Sequence, residues 1–130
     1  MYMKDALSSS SGSAHRGGGH IRYTAPELVT DPRKKPTKES DIHALGTLFC
    51  EIWSRKRPFH EIQDDLDVKL EIRSGHLDTI PDSCPEAWRT LILKCWERDP
   101  ARRPTAKVVL KELKRAWEAR LNPSQPSTGI

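Results

Sequence analysis

Apolar and polar positions repeat with a helical period in four parts of the chain. From about Lys38 to Ser54 the apolar residues are Ile42, Ala44, Leu45, Leu48, Phe49, Cys50, Ile52 and Trp53. At 100° per residue they cover most of the circumference, and a helix that is apolar nearly all round is expected to be buried nearly all round. A second helix is predicted from Asp65 to Ser74, with Leu66, Val68, Leu70 and Ile72 as its apolar members and Gly75 as a left-handed terminator. A third starts at Pro85 and carries Trp88, Leu91, Ile92, Cys95 and Trp96 on one face. A fourth follows Pro104, with Thr105 as N-cap. Its apolar stripe is Ala106, Val109, Leu110, Leu113, Ala116 and Trp117, and Lys107, Lys111, Lys114 and Arg115 face the other way. No segment shows the period-two alternation of a strand, so the fold class is mainly α.

Between and around these helices the pattern is lost. Residues 1–20 contain the run Ser8-Ser9-Ser10-Ser11-Gly12-Ser13 and the triplet Gly17-Gly18-Gly19, which bring no apolar area to offset chain entropy. Asp31-Pro32-Arg33-Lys34-Lys35-Pro36-Thr37 reads as a basic surface loop bounded by prolines. Asn122 to Ile130 holds Pro123, Pro126 and three Ser/Thr, and is expected to fray.

With 130 residues the chain has the length of one domain. No apolar run approaches the roughly 20 residues that span a bilayer, and the N-terminus has no apolar block of a secretory leader, so neither a membrane nor a secreted protein is expected. Cys50, Cys84 and Cys95 are odd in number, lack CxxC spacing and lie among apolar residues, which predicts reduced core thiols and a cytoplasmic location. His15, His20, His43, His60 and His76 form no i, i+4 pair with each other or with a cysteine, so no metal site is expected. The net charge of +4 is mild. The basic clusters Arg33-Lys34-Lys35 and Arg55-Lys56-Arg57 are interleaved with acids and belong to no recognition motif, so nucleic acid is not an expected partner.

Four motifs stand in order. Arg22-Tyr23-Thr24-Ala25-Pro26-Glu27-Leu28 is followed by Glu39-Ser40-Asp41-Ile42-His43-Ala44-Leu45-Gly46, then by Arg57-Pro58-Phe59, and last by Cys95-Trp96-Glu97-Arg98-Asp99-Pro100-Ala101-Arg102-Arg103-Pro104-Thr105. Ala-Pro-Glu alone is a weak signal. The ordered set resembles the C-terminal lobe of a eukaryotic protein kinase, from the end of the activation segment through the last helix. The Cys-Trp pair and the Arg-Tyr before Thr24 resemble the tyrosine-kinase-like serine/threonine type. The resemblance implies a partial protein-kinase-like fold. Residues 1–18 would be an activation-loop-like segment, 19–119 the partial lobe and 120–130 a disordered tail.

The resemblance also implies roles. Ala25, Pro26, Glu27, Asp41, Gly46 and Arg103 match structural positions of the family. Glu27 and Arg103 would form the ion pair that ties the activation segment to the helical lobe, a geometry suited to a carboxylate and a guanidinium. Asp41 would accept hydrogen bonds from the catalytic-loop backbone, and it also suits the positive end of a helix. Gly46 within an apolar helix costs about 1 kcal/mol relative to Ala, so a close packing contact is expected there. Leu48 and Ile52 match the foot of the family's hydrophobic spine, and both read equally well as core. Gly19, His20 and Tyr23 fall where the family contacts the acceptor peptide. His20 replaces a common Thr, and His43 stands where an aromatic residue is usual. The serines at 8–13 occupy the place of an activation loop, where phosphorylation can order a segment, though solvated linker serines are the favoured reading.

Phosphoryl transfer in this family requires a Gly-rich loop over the phosphates, a strand Lys with its helix Glu, a catalytic Asp with its Asn, and a metal-binding Asp. Residues 1–130 contain no G-x-G-x-x-G with a flanking strand pattern, no H-R-D and no D-F-G. Lys4-Asp5-Ala6-Leu7 is not a match to the metal-binding motif. The expectation is a truncated protein kinase domain whose family activity is ATP-dependent phosphorylation of Ser/Thr in proteins, inactive as this chain stands. No catalytic, cofactor-binding or metal-binding residue is assigned, and ATP and Mg2+ are expected only for the full-length family. The alternative is a non-catalytic kinase-derived scaffold that binds a protein through the second helix and the basic face of the fourth. The apolar helix over 38–54 expects neighbours that these residues do not supply, which predicts marginal stability and self-association through its uncovered face.

Overall fold

A computed structural model describes residues 21–121. The helices are α1 (Pro26–Thr30), α2 (Lys38–Ser54), α3 (Asp65–Arg73), α4 (Glu86–Cys95) and α5 (Ala106–Leu121), with a 3-10 turn at Pro100–Arg102. Among the described residues there is no strand. The mainly helical fold class therefore stands. Helix α5 runs two residues into the segment assigned to the tail, and the rest of that tail and residues 1–20 lie outside the described residues.

Local chemistry sets the helix ends. Thr37 accepts a hydrogen bond from the Ser40 amide at 3.0 Å, and the Ser40 hydroxyl accepts one from the Thr37 amide at 2.8 Å. Two of the amides that lack intrahelical partners at the start of α2 are thereby satisfied. Arg55 closes α2 in the left-handed region, at φ 60. Asp64 caps α3 through the Leu66 amide, and Thr105 caps α5 through the Val108 amide. Pro85 is the N-cap of α4 rather than its first helical residue. This places the carboxylate of Glu86 in the first turn, where the helix dipole favours it.

The main core lies where α2 crosses α4 and α5 leans on α4. It contains Ile42, Phe49, Cys50, Trp88, Leu91, Ile92, Cys95, Trp96, Val109 and Ala116, with Ile80 and Cys84 from the α3–α4 connection. Phe49 and Trp53 each meet the Trp88 ring edge-on, at 5.7 and 5.5 Å between centroids, a favoured aromatic geometry. A β-carbon built on Gly46 would fall 2.7 Å from the Cys95 Cβ and 3.2 Å from the Trp96 ring. Only glycine allows the two helices this approach. A smaller core joins Val29 of α1 to Val68 and Ile72 of α3.

Three expectations about burial need correction. Helix α2 is not buried all round: Ile52 is 55% exposed, and Leu45, Leu48 and Trp53 are only partly buried. The described partners of α2 lie on the Ile42, Gly46, Phe49 and Cys50 side, so the spine-like pair Leu48 and Ile52 is not core here. On α3 only Val68 and Ile72 are buried, while Leu66 and Leu70 are exposed. The two i, i+4 pairs are offset by two residues, about 200° around the axis, so both cannot face one core. On α5 the buried strip is Val109 and Ala116 with Leu113 partly covered, and Leu110 and Trp117 lie outside it.

All three cysteines are buried free thiols. Burial pushes Cys50 and Cys95 up to about 12 and raises Cys84 as well. They behave as small apolar core residues, not as nucleophiles. No helix among the described residues is long and apolar enough to cross a membrane.

Candidate functional site

The segment from Ile21 to Asp31 is fastened to the helical body by two buried arginines. Arg103 follows the 3-10 turn, and its side chain is fully buried. Its guanidinium forks onto Glu27, with Nη1 donating to Oε2 and Nη2 to Oε1, both at 2.8 Å. The remaining donors reach the carbonyls of Glu39 at 2.9 Å, Glu97 at 2.8 Å and Arg98 at 3.4 Å. One side chain thus links α1, the first turn of α2 and the α4–α5 connection. Burial works to raise the Glu27 carboxyl, but the fork from Arg103 outweighs it and holds the carboxyl below its ordinary range. Charge-assisted bidentate pairs have this effect.

Arg22 is the second anchor, and sequence reasoning did not assign it a role. Its Nε donates to Asp65 at 3.0 Å, Nη1 to the carbonyls of Pro58 and Phe59 at 2.9 Å, and Nη2 to those of Ile62 and Gln63 at 2.8 and 3.1 Å. It fixes the irregular 58–63 connection, in which Phe59 takes a φ of 52, and the start of α3. The signal for it is faint: an arginine next to Tyr23 and an aspartate 43 residues later carry no spacing rule that pairs them.

Tyr23 lies between these anchors and donates its hydroxyl hydrogen to the Glu51 carboxylate of α2. Burial raises its pKa, and the bond to Glu51 and that carboxylate's charge add to the effect. The phenol therefore stays protonated. Ala25 and Pro26 are buried at the start of α1. Asp41 is half-buried in the first turn of α2, where the helix dipole favours its charge. Gly46 sits at the α2–α4 crossing. Gly19 and His20 lie outside the described residues.

His43 projects from α2 and is buried beside Trp96, with 6.4 Å between ring centroids. Burial, aided by the Arg103 charge and opposed by Glu27, pushes its pKa down to about 4. It is a neutral imidazole at neutral pH, and its Nδ1 has no hydrogen-bond partner. No group of three His, Cys, Asp or Glu side chains among the described residues could hold a metal ion.

This layout provides a clamped surface segment on a helical platform. It does not gather a nucleophile, a general base or a phosphate cradle among the described residues. Comparison with known proteins agrees with the order of motifs. A sequence profile described as "Protein tyrosine and serine/threonine kinase" matches residues 3–113. The human receptor-interacting serine/threonine-protein kinase 1 is 33% identical over 97 residues, 72% of this chain and 14% of that protein. The mouse megakaryocyte-associated tyrosine-protein kinase is 32% identical over 95 residues, 73% of this chain and 18% of that protein. A Dictyostelium discoideum protein described as probable serine/threonine-protein kinase pats1 is 31% identical over 90 residues, 69% of this chain and 3% of that protein. The chain therefore spans a small part of the length of these relatives.

Proposed function

Because the chain belongs to the protein tyrosine and serine/threonine kinase family, we propose that it forms the acceptor-side platform of a protein kinase whose reaction is ATP-dependent phosphorylation of serine or threonine in proteins. The observation that carries this reading is the Arg103–Glu27 fork. It ties the segment holding Tyr23, Ala25 and Pro26 to the first turn of α2 and to the α4–α5 connection, and so supports a role in presenting a fixed surface to a peptide. Gly19, His20 and Tyr23 are the residues proposed to meet that peptide.

Catalysis of phosphoryl transfer is largely positioning and neutralisation of charge. The described residues contribute the first of these. ATP and Mg2+ would be held by a phosphate cradle and metal-binding carboxylates, and residues 1–130 contain none of the motifs that supply them. Residues 1–130 alone are therefore proposed to be inactive. The reading also includes a protein substrate as partner and a cytoplasmic location, which suits three reduced, buried thiols.

The test is phosphate transfer from labelled ATP with Mg2+ to a generic acceptor protein, followed by analysis of the modified amino acid. Residues 1–130 should match the no-enzyme blank. A longer product of the same gene that encodes the nucleotide-binding motifs should label serine or threonine. Robust turnover by residues 1–130, or labelling of tyrosine alone by the longer product, would overturn the reading.

A further inference from the structure

Helices α1 to α4 and the α3–α4 connection line a half-open cavity of about 250 Å³. Its apolar lining comes from Pro26, Phe59, Ile72, Leu77, Leu93 and Trp96. The walls are held by hydrogen bonds. Arg22 grips the Phe59 carbonyl, and the Trp96 indole donates to the Thr47 hydroxyl at 3.0 Å. Arg98 donates to the carbonyls of Ile72 at 3.5 Å and Arg73 at 3.2 Å, bracing the end of α3 against the end of α4. Gly75 turns beneath it at φ +92, where a β-carbon would lie 3.1 Å from the Arg98 Nη1. A pocket pinned in this way is preformed, as ligand sites usually are.

The rim is apolar and the ground beside it is acidic. Leu77 and Leu93 are 49% and 45% exposed at the cavity's edge. A shallower depression shares Phe59, Gly75, His76, Leu77 and Asp78 with the cavity and continues over Glu61 and Glu71. Glu61, Glu71, Asp78 and Glu97 thus border one opening. The cations beside it are Arg98, braced on two carbonyls, Arg22, buried and committed to Asp65, and Arg102, 3.9 Å from Glu97, which leaves Glu61 and Glu71 as the main acids of the shelf. His76 lies against Glu71 at 2.8 Å. The cavity wall at His43 carries no charge at neutral pH.

We propose that this pit and its acidic shelf are a docking site for a basic peptide segment of a partner protein, with an aromatic or large aliphatic side chain in the pit and flanking Lys or Arg on the Glu61–Glu71 shelf. Charge complementarity selects the partner's sign, since acidic peptides and anionic surfaces would be repelled. The pit selects an apolar anchor, because a charged group there would lose its water while the carboxylates beside it are already engaged, Asp78 by the Thr79 amide and Glu97 by Arg102. The site uses only residues 22–98 and is independent of the phosphotransfer reading.

The test is a titration of the isotope-labelled 130-residue chain with the synthetic peptide Ac-Lys-Lys-Phe-Lys-NH2 at low salt. The signals followed are the Trp96 indole N–H and the Leu77 and Leu93 methyls. Saturable shifts confined to these groups and to residues 75–79 are expected. Replacing the peptide Phe by Ala should weaken binding at least tenfold, and Ac-Glu-Glu-Phe-Glu-NH2 should not bind. Leu93→Trp, which fills the pit, and Glu61→Lys, an exposed charge reversal, should each weaken binding at least fivefold. Glu61→Lys keeps the test open if Leu93→Trp fails to fold. No saturable shift up to millimolar peptide, equal binding of the Ala or Glu peptides, or undiminished binding to Glu61→Lys would each overturn the proposal.

Discussion

At the scale of single residues, two arginines and one histidine carry most of the specific chemistry. The Arg103 side chain is fully buried and Glu27 retains 14% exposure, so the pair is exchanged for lone buried charge if either partner is lost. Removing one partner of a buried pair costs about 3–5 kcal/mol. Arg103→Ala is expected to fall in that range by urea unfolding. Arg103→Lys should recover only part of the loss, since an ammonium cannot fork onto Glu27 while reaching the Glu39 and Glu97 carbonyls. His43 makes stability depend on pH. Its folded pKa of about 4 lies below the unfolded value near 6.5. Below pH 6.5 the unfolded chain binds the proton first, so stability is full above that pH and is lost as pH falls towards 4, by about 3 kcal/mol. The lowered Glu27 carboxyl adds a loss of the same sign, starting near pH 4.5 and continuing below it. His43→Phe should flatten the decline between pH 6.5 and 4 in a series of denaturant melts. An unchanged slope would show that another group titrates there.

At the scale of elements, the α2–α4 crossing and the two faces of α3 make opposite predictions from similar residues. At the crossing the backbones meet through Gly46, with the Cys95 Cβ in the way of any side chain. Gly46→Ala gains helix propensity of about 1 kcal/mol. It must also force two packed helices apart, and overpacking of this kind costs about 1–3 kcal/mol. The net effect should be destabilising, because the obstructing atom belongs to the base of a side chain and cannot swing away. On α3, Ile72 is 4% exposed and Leu70 is 49% exposed. Ile72→Ala should cost about 2–5 kcal/mol, whereas Leu70→Ala should stay within about 0.5 kcal/mol. The hydrophobic count of α3 does not separate these residues, but the 100° step does once one of them is known to face inward.

For the whole molecule, the uncovered side of α2 is one apolar exposure among several, beside Leu66 of α3 and Leu110 and Trp117 of α5. Ile52 is 55% exposed on a helix whose opposite side is the centre of the core. Self-association through this side follows as a proposal, since exposed apolar surface on a core helix tends to find a partner. The melting temperature of residues 1–130 should then rise with protein concentration. Ile52→Lys should remove that dependence without lowering the melting temperature of the dilute protein. A concentration-independent, monomeric melt of the unaltered chain would sink the idea.

The four longer helices, the absence of strand pattern, the reduced thiols and the need for close contact at Gly46 are all legible in the order of residues. These depend on local period, capping chemistry and composition, all of which act within a few residues. That order also holds the Arg103–Glu27 pair, but only through resemblance, since no local rule joins positions 76 residues apart. Packing in three dimensions sets which face of α3 and α5 turns inward, that Ile52 stays outside, that Arg22 is buried, and that a cavity opens beside an acidic shelf. Each of these is set by what stands opposite a side chain in space, and periodicity along the chain says only which residues share a face.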